Sequence, residues 1–225
     1  MVAGLPSDSE ESVEPSRPAL RSVGRGVRDA NDTALSRLGS SKALYADTMG
    51  EMEGEEVLAA AATAEHHAAE TYETWADTSN GDVAAAFAAT AAEERDHYET
   101  VAGELDDHEP GDVPAIQSSL RDLEGDVERV GGFVGRTLAA EKSKEQVTGF
   151  FVGDADPQTA RLFRGMGDDL EAQLDRATDL LSARCGDDEA CWERAREAAS
   201  GAIQAAYEEY TERLEGMGVN PKPVC

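Results

Sequence analysis

Lysine is nearly absent from this 225-residue chain: four Lys stand among 20 basic residues, against 47 Asp and Glu. The net charge of −27 repels phosphate backbones and anionic lipid surfaces, which argues against nucleic acid or a membrane surface as partner. No apolar run approaches the roughly 18–20 residues of a membrane span. Met1 to Glu10 contain no basic stretch followed by an apolar one, so no export signal is expected. The expectation is a soluble, cytoplasmic protein. Cysteine is equally scarce. Cys185, Cys191 and Cys225 form no Cys-x-x-Cys pair, which excludes a zinc ribbon and an iron site of four paired thiolates. Cys185 and Cys191 flank a turn and either close a helical hairpin or stay as free thiols. Cys225 carries no assignment.

Large aliphatic and aromatic side chains are also few. Leu, Ile, Val and Phe make up 38 of 225 residues, a proportion that, with high net charge, normally reads as disorder. Two things oppose that reading. Alanine supplies 37 residues and is the best helix former, and the remaining apolar residues fall at helical spacing. Abundant Asp and Glu with scarce Lys is the composition of proteins from salt-accumulating halophiles, where screening at molar salt shortens repulsion to about 3 Å.

Along the chain, residues 1–18 are rich in Ser, Glu and Pro and read as a disordered acidic leader. A helical segment is expected within 19–52, interrupted near Gly39-Ser40-Ser41. Four long helices follow: A over 53–77, B over 82–106, C over 129–152 and D over 157–184, with a crossover at 107–128. Asp156 is a good N-cap and Pro157 suits the first helical position. Gly186 suits the C-terminal end of helix D. Helix E occupies 185–217, and 218–225 is a tail. No strand pattern is evident, so the fold class is all-α.

The apolar stripes of three helices are interrupted by acids near mid-length. Helix A reads Leu58, Ala61, Ala62, Glu65, Ala68, Ala69, Tyr72, Trp75. Helix B reads Val83, Phe87, Ala91, Glu94, His97, Val101, and helix C reads Val130, Val134, Leu138, Glu141, Glu145, Thr148, Val152. Each follows the spacing of a core-facing stripe. An ionised Glu in a core is costly unless it is paired or binds a metal. Glu94 and His97 at i and i+3 share a face. A shift of 76 residues superposes the A–B hairpin on the C–D hairpin, placing Glu65 on Glu141, Asn80 on Asp156 and Phe87 on Phe163. Two antiparallel hairpins joined by a long crossover give the ferritin-like four-helix bundle, here with additional N-terminal and C-terminal helices.

Glu65, the run Glu94-Arg95-Asp96-His97, and Glu141 resemble the rubrerythrin and ferritin-like di-iron carboxylate family, whose pattern is one Glu from each of two helices and Glu-x-x-His from each of the other two. The stretch Ala64-Glu65-His66-His67-Ala68-Ala69-Glu70-Thr71-Tyr72, followed by Phe87, looks like the first rubrerythrin hairpin. The resemblance implies iron, or manganese, held by Glu65, Glu94, His97 and Glu141, with Glu145 as a fifth ligand. It further implies reduction of peroxide or O₂, and a homodimer. Tyr72 or Tyr98 would offer a nearby phenol. The sequence departs from the pattern where Glu94 and His97 shift onto Leu170 and Gln173, with Asp169 one position off the expected face. The alternative is a metal-free, degenerate bundle whose buried acids bond to His97 and to one another, acting by protein association. His66 and His67 are expected to be packed or solvated, Trp75, Tyr72, Phe87 and Phe163 to be core, and Gly131-Gly132 to mark a helix start or kink.

Overall fold

The structure, a computed structural model, describes residues 17–222. The expected leader thus falls outside the described residues as far as residue 16, as does Cys225. Among the described residues there are nine α-helices and no strand. α1 (Arg17–Ala30), α2 (Asp32–Leu38) and α3 (Ser41–Asp47) form the N-terminal part. It breaks at Asn31 as well as at Gly39-Ser40, and it begins one residue before the expected leader ends.

α4 (Gly54–Thr78) and α5 (Gly81–Ala102) make the first long hairpin, turned at Ser79-Asn80-Gly81, where Gly81 has φ +59°. α6 (Ala115–Arg121) lies within the crossover. α7 (Asp126–Gly153) and α8 (Pro157–Cys185) make the second hairpin. Asp156 caps α8 by accepting from the backbone N–H groups of Gln158 and Thr159 at 3.0 and 3.1 Å, an arrangement that contributes about 1 kcal/mol. α9 (Glu189–Gly216) follows a tight turn. Asp188 caps it in the same way. Cys185 and Cys191 form a disulfide across the turn.

α9 packs so closely on α7 that the two backbones nearly touch. A Cβ on Gly131 would lie 2.3 Å from the Ala195 carbonyl oxygen, and one on Gly135 would lie 2.1 Å from that of Ala199. Glycine is required at both positions because nothing larger leaves room for α9. Gly131-Gly132 is therefore not the start of α7, which begins at Asp126. It lies within α7, with Gly132 against Leu120 and Leu123.

The bundle interior holds two apolar clusters at opposite ends. One gathers Tyr72, Trp75, Phe87, Phe133, Leu181 and Ile203. The other gathers Val57, Leu58, Val101, Val147, Phe151 and Phe163. The residues between them are polar, and they form the candidate centre.

Candidate metal centre

Glu65 comes from the middle of α4, and Glu94 and His97 from the second half of α5. All three are buried, at 1%, 0% and 6% exposure. Each offers one ligand atom, and these atoms lie within 4.8 Å of one another, a carboxylate and imidazole group able to hold a metal ion. The Nδ1 of His97 lies 3.9 Å from Oε2 of Glu65 and 3.9 Å from Oε2 of Glu94. Among the described residues it has no hydrogen-bond partner. Its Nε2 meets Asp169 at 3.0 Å, so Asp169, although one position off the expected face, reaches the rim of the centre.

Two cations from α7 enter the same space. Arg136 grips Glu94 with both arms of its guanidinium, Nη1 donating to Oε1 at 2.6 Å and Nη2 to Oε2 at 2.8 Å. Nη2 also reaches Glu65 at 3.4 Å. Lys144 donates to the other Glu65 oxygen. From α8, the Gln173 amide donates to Glu94 at 2.8 Å. Arg136, Lys144 and Gln173 are 4%, 5% and 0% exposed. The two buried carboxylates are thus answered by two buried cations. A bidentate pair of this kind is among the strongest polar contacts proteins make.

Ionisation follows from that arrangement. Burial pushes the Glu94 carboxyl up, but Arg136 and His97 outweigh it and hold Glu94 down at about 2. Burial pulls His97 down, yet Glu94 and Asp169 raise it above the ordinary imidazole value. Arg136 keeps its charge, because Glu94 overcomes the cost of its burial. Burial alone pushes the Lys144 ammonium down to about 7, and the Glu65 carboxylate against it opposes that shift.

Glu141 and Glu145 do not join the centre. Glu141 accepts from Arg28 of α1 at 2.9 and 3.2 Å, on a partly exposed face. Glu145 pairs with Lys142 at 2.7 Å at the surface. The expectation that both ligate metal is corrected by the register of α7. Its centre-facing residues are Arg136 and Lys144, and beyond them Val147 and Phe151 are buried. The stripe through Glu141, Glu145 and Val152 is rotated by one residue, about 100°, and Val152 is 55% exposed.

Residues 56–121 match the family model described as Rubrerythrin. These residues are rubrerythrin-like. The matched stretch carries α4, α5 and α6, and with them Glu65, Glu94 and His97. No curated protein and no solved structure matches the chain.

A rubrerythrin-like centre for two irons needs carboxylates and imidazoles from all four helices. Here α7 supplies Arg136 and Lys144, and α8 supplies the Gln173 amide beside the fully buried Leu170. Every carboxylate oxygen of Glu65 and Glu94 faces a cation or an amide. The residues present do not fit a di-iron group.

Arg136, Lys144 and Gln173 are what sequence reasoning missed. In the sequence Gln173 stands only as the place where a histidine ligand is lacking. The available signal for Lys144 was its place among Val147 and Phe151, at i+3 and i+7. His66, His67 and Glu70 make a second ligand group within 4.8 Å, but His67 is bonded on both nitrogens, to Glu70 at 3.2 Å and the Gly111 carbonyl at 2.9 Å. Tyr72 is fully buried, its hydroxyl without a partner among the described residues, and burial raises its pKa far above the usual phenol range. Tyr98 is half-buried against His66.

Proposed function

We propose that this protein is a rubrerythrin-like bundle whose former metal centre is a buried ion-pair cluster, and that it works as a metal-free helical scaffold rather than as an iron oxidoreductase. The two-armed grip of Arg136 on Glu94 carries this reading. A divalent ion would have to displace a guanidinium from a fully buried carboxylate and leave that cation without a partner, at a cost of several kcal/mol. A scaffold acts through association, and the homodimer implied by the family resemblance is the first assembly to test, by sedimentation in molar salt. The decisive experiment is metal analysis after anaerobic reconstitution with Fe(II), and separately with Mn(II), in molar salt. The expected result is far less than one metal per chain. One or two per chain, lost in Glu94→Ala, overturns the reading.

One observation favours a second reading. The orphaned Nδ1 of His97 faces Oε2 of both glutamates. Glu65, Glu94 and His97 would then hold one iron or manganese once Lys144 swings aside, and peroxide or O₂ reduction belongs to this reading alone. Under it, Lys144→Met strengthens metal binding. Under the first, Lys144→Met leaves the protein without metal and less stable.

A further inference from the structure

His66, His67 and Glu70 stand together where α4 meets the crossover, each offering one ligand atom within 4.8 Å of the others. Glu70 turns one oxygen to each ring. Its Oε1 lies 3.5 Å from Nε2 of His66, and its Oε2 lies 3.2 Å from Nδ1 of His67. The group opens to solvent on one side, since the side chains of His66 and Glu70 are 31% and 48% accessible while that of His67 is buried.

The contacts of His67 fix which of its nitrogens is free to bind. Nε2 lies 2.9 Å from the Gly111 carbonyl oxygen. A carbonyl only accepts, so Nε2 carries the proton. The Gly111 N–H donates to Thr63 Oγ1 at 3.2 Å, which holds that carbonyl in place. In the neutral ring Nδ1 then presents a lone pair, and it presents it to a carboxylate oxygen, which is another acceptor. Such a contact is favourable only with a proton or a metal ion between the two. Glu70 does not need an imidazolium to answer its charge, because Arg121 Nη2 already donates to the same Oε2 at 3.1 Å. Arg121 is itself held by Thr71 Oγ1 at 3.0 Å and the His67 carbonyl at 3.1 Å. Metal-ligating residues are held in this way, with the far nitrogen of the histidine on a carbonyl and the carboxylate on a hydrogen-bond donor.

We propose that His66 Nε2, His67 Nδ1 and the Glu70 carboxylate bind one divalent ion of the zinc type, with solvent completing its coordination. Two imidazoles and one carboxylate are a zinc donor set that leaves a position open, and imidazole favours zinc over manganese or magnesium. The positive charge of Arg121 opposes the ion, so micromolar rather than nanomolar affinity is expected. Because His67 also bonds Gly111, a bound ion ties the crossover to α4. The site shares no residue with the polar centre and does not depend on the reading proposed for it.

The test is calorimetric titration of the untagged, chelator-stripped full chain in molar salt with Zn²⁺, and separately with Mn²⁺. One Zn²⁺ per chain is expected, with Mn²⁺ at least about tenfold weaker. His66→Gln and Glu70→Gln change partly exposed side chains and should each weaken Zn²⁺ at least about tenfold, while circular dichroism stays helical. Zn²⁺ should raise the melting temperature of the unaltered chain and not that of Glu70→Gln. Absence of saturable Zn²⁺ binding, or unchanged binding in both variants, overturns the proposal. Mn²⁺ binding as tightly as Zn²⁺ overturns the imidazole assignment and leaves only cations gathered by the acidic surface. Zn²⁺ kept in Glu70→Gln and lost in Glu94→Gln places the ion in the polar centre and overturns both this proposal and the metal-free reading. Iron found in the polar centre, with Zn²⁺ still lost in Glu70→Gln, sinks only the latter.

Discussion

The two long hairpins meet at one polar layer with opposite chemistry. The α4–α5 hairpin brings Glu65, Glu94 and His97, all within the stretch that matches rubrerythrins. The α7–α8 hairpin brings Arg136, Lys144 and Gln173. In a di-iron bundle both hairpins contribute acids, and the metals hold the layer neutral. Here one hairpin neutralises the other directly. Arg136 and Lys144 of α7 stand against Glu94 and Glu65, two cations for two carboxylates. On the proposed reading, the stretch that matches the Rubrerythrin model keeps Glu65, Glu94 and His97 while the ion pairs give the centre a structural role.

The largest test of that comparison is Arg136→Met. It strands Glu94 as an uncompensated buried anion and should cost about 3–5 kcal/mol, read by chemical denaturation. Adding Glu94→Gln should recover a large part of the loss, as expected if the two hairpins are coupled through this pair. Recovery failing entirely would break the comparison.

Acidification comes next. Glu94 is held at about 2 in the folded chain, against an ordinary value of 4.5. Its folded pKa is depressed, so its contribution is present above pH 4.5 and is lost as the pH falls towards 2. The loss should reach a few kcal/mol, and Glu94→Gln should flatten that part of the stability profile. His97 has the opposite sign. Its pKa is raised, so its contribution is full below pH 6.5 and declines as the pH rises through the folded value.

A smaller contrast lies between two glycines, one in each helix of the second hairpin. Gly135→Ala drives a methyl into the Ala199 backbone and should destabilise by about 1–3 kcal/mol. Gly165→Ala on α8 meets nothing within 4 Å and should stabilise by roughly 0.5–1 kcal/mol. Thermal melts of the two should move in opposite directions. The smallest effect belongs to Arg28→Ala. Arg28 bonds Glu141 at a partly exposed site, its side chain 42% accessible, and the change should cost under about 1 kcal/mol. A loss comparable to that of Arg136→Met would mean that Glu141 matters as much as Glu94.

The all-α class was legible because alanine-rich stripes and strong turn signals repeat at helical spacing, and Asp156-Pro157 is one such signal realised as a cap. Glu65, Glu94 and His97 were legible because acids interrupting an apolar stripe stand out. Arg136 and Lys144 were not. Long cationic side chains usually lie at the surface, and α7 is buried against both α8 and α9. Its valines at 130 and 134 and Leu138 belong to the cluster shared with α9, and following them along the helix leads to Glu141. The centre-facing row lies one residue away. The place of α9 was hidden for a related reason: Gly131-Gly132 reads as a helix start or kink, although the missing side chains of Gly131 and Gly135 are what admit a neighbour.

The polar layer between the two apolar clusters also solves a problem that alanine creates. A seam of small identical side chains looks the same at every turn, so a helix sliding along it by 5.4 Å finds nearly equivalent packing. Arg136 and Glu94 do not permit that slip. One turn in either direction would draw the guanidinium off its carboxylate and into the apolar clusters on either side. The ion pair thus marks one register of α7, in addition to the one that Gly131 and Gly135 set against α9.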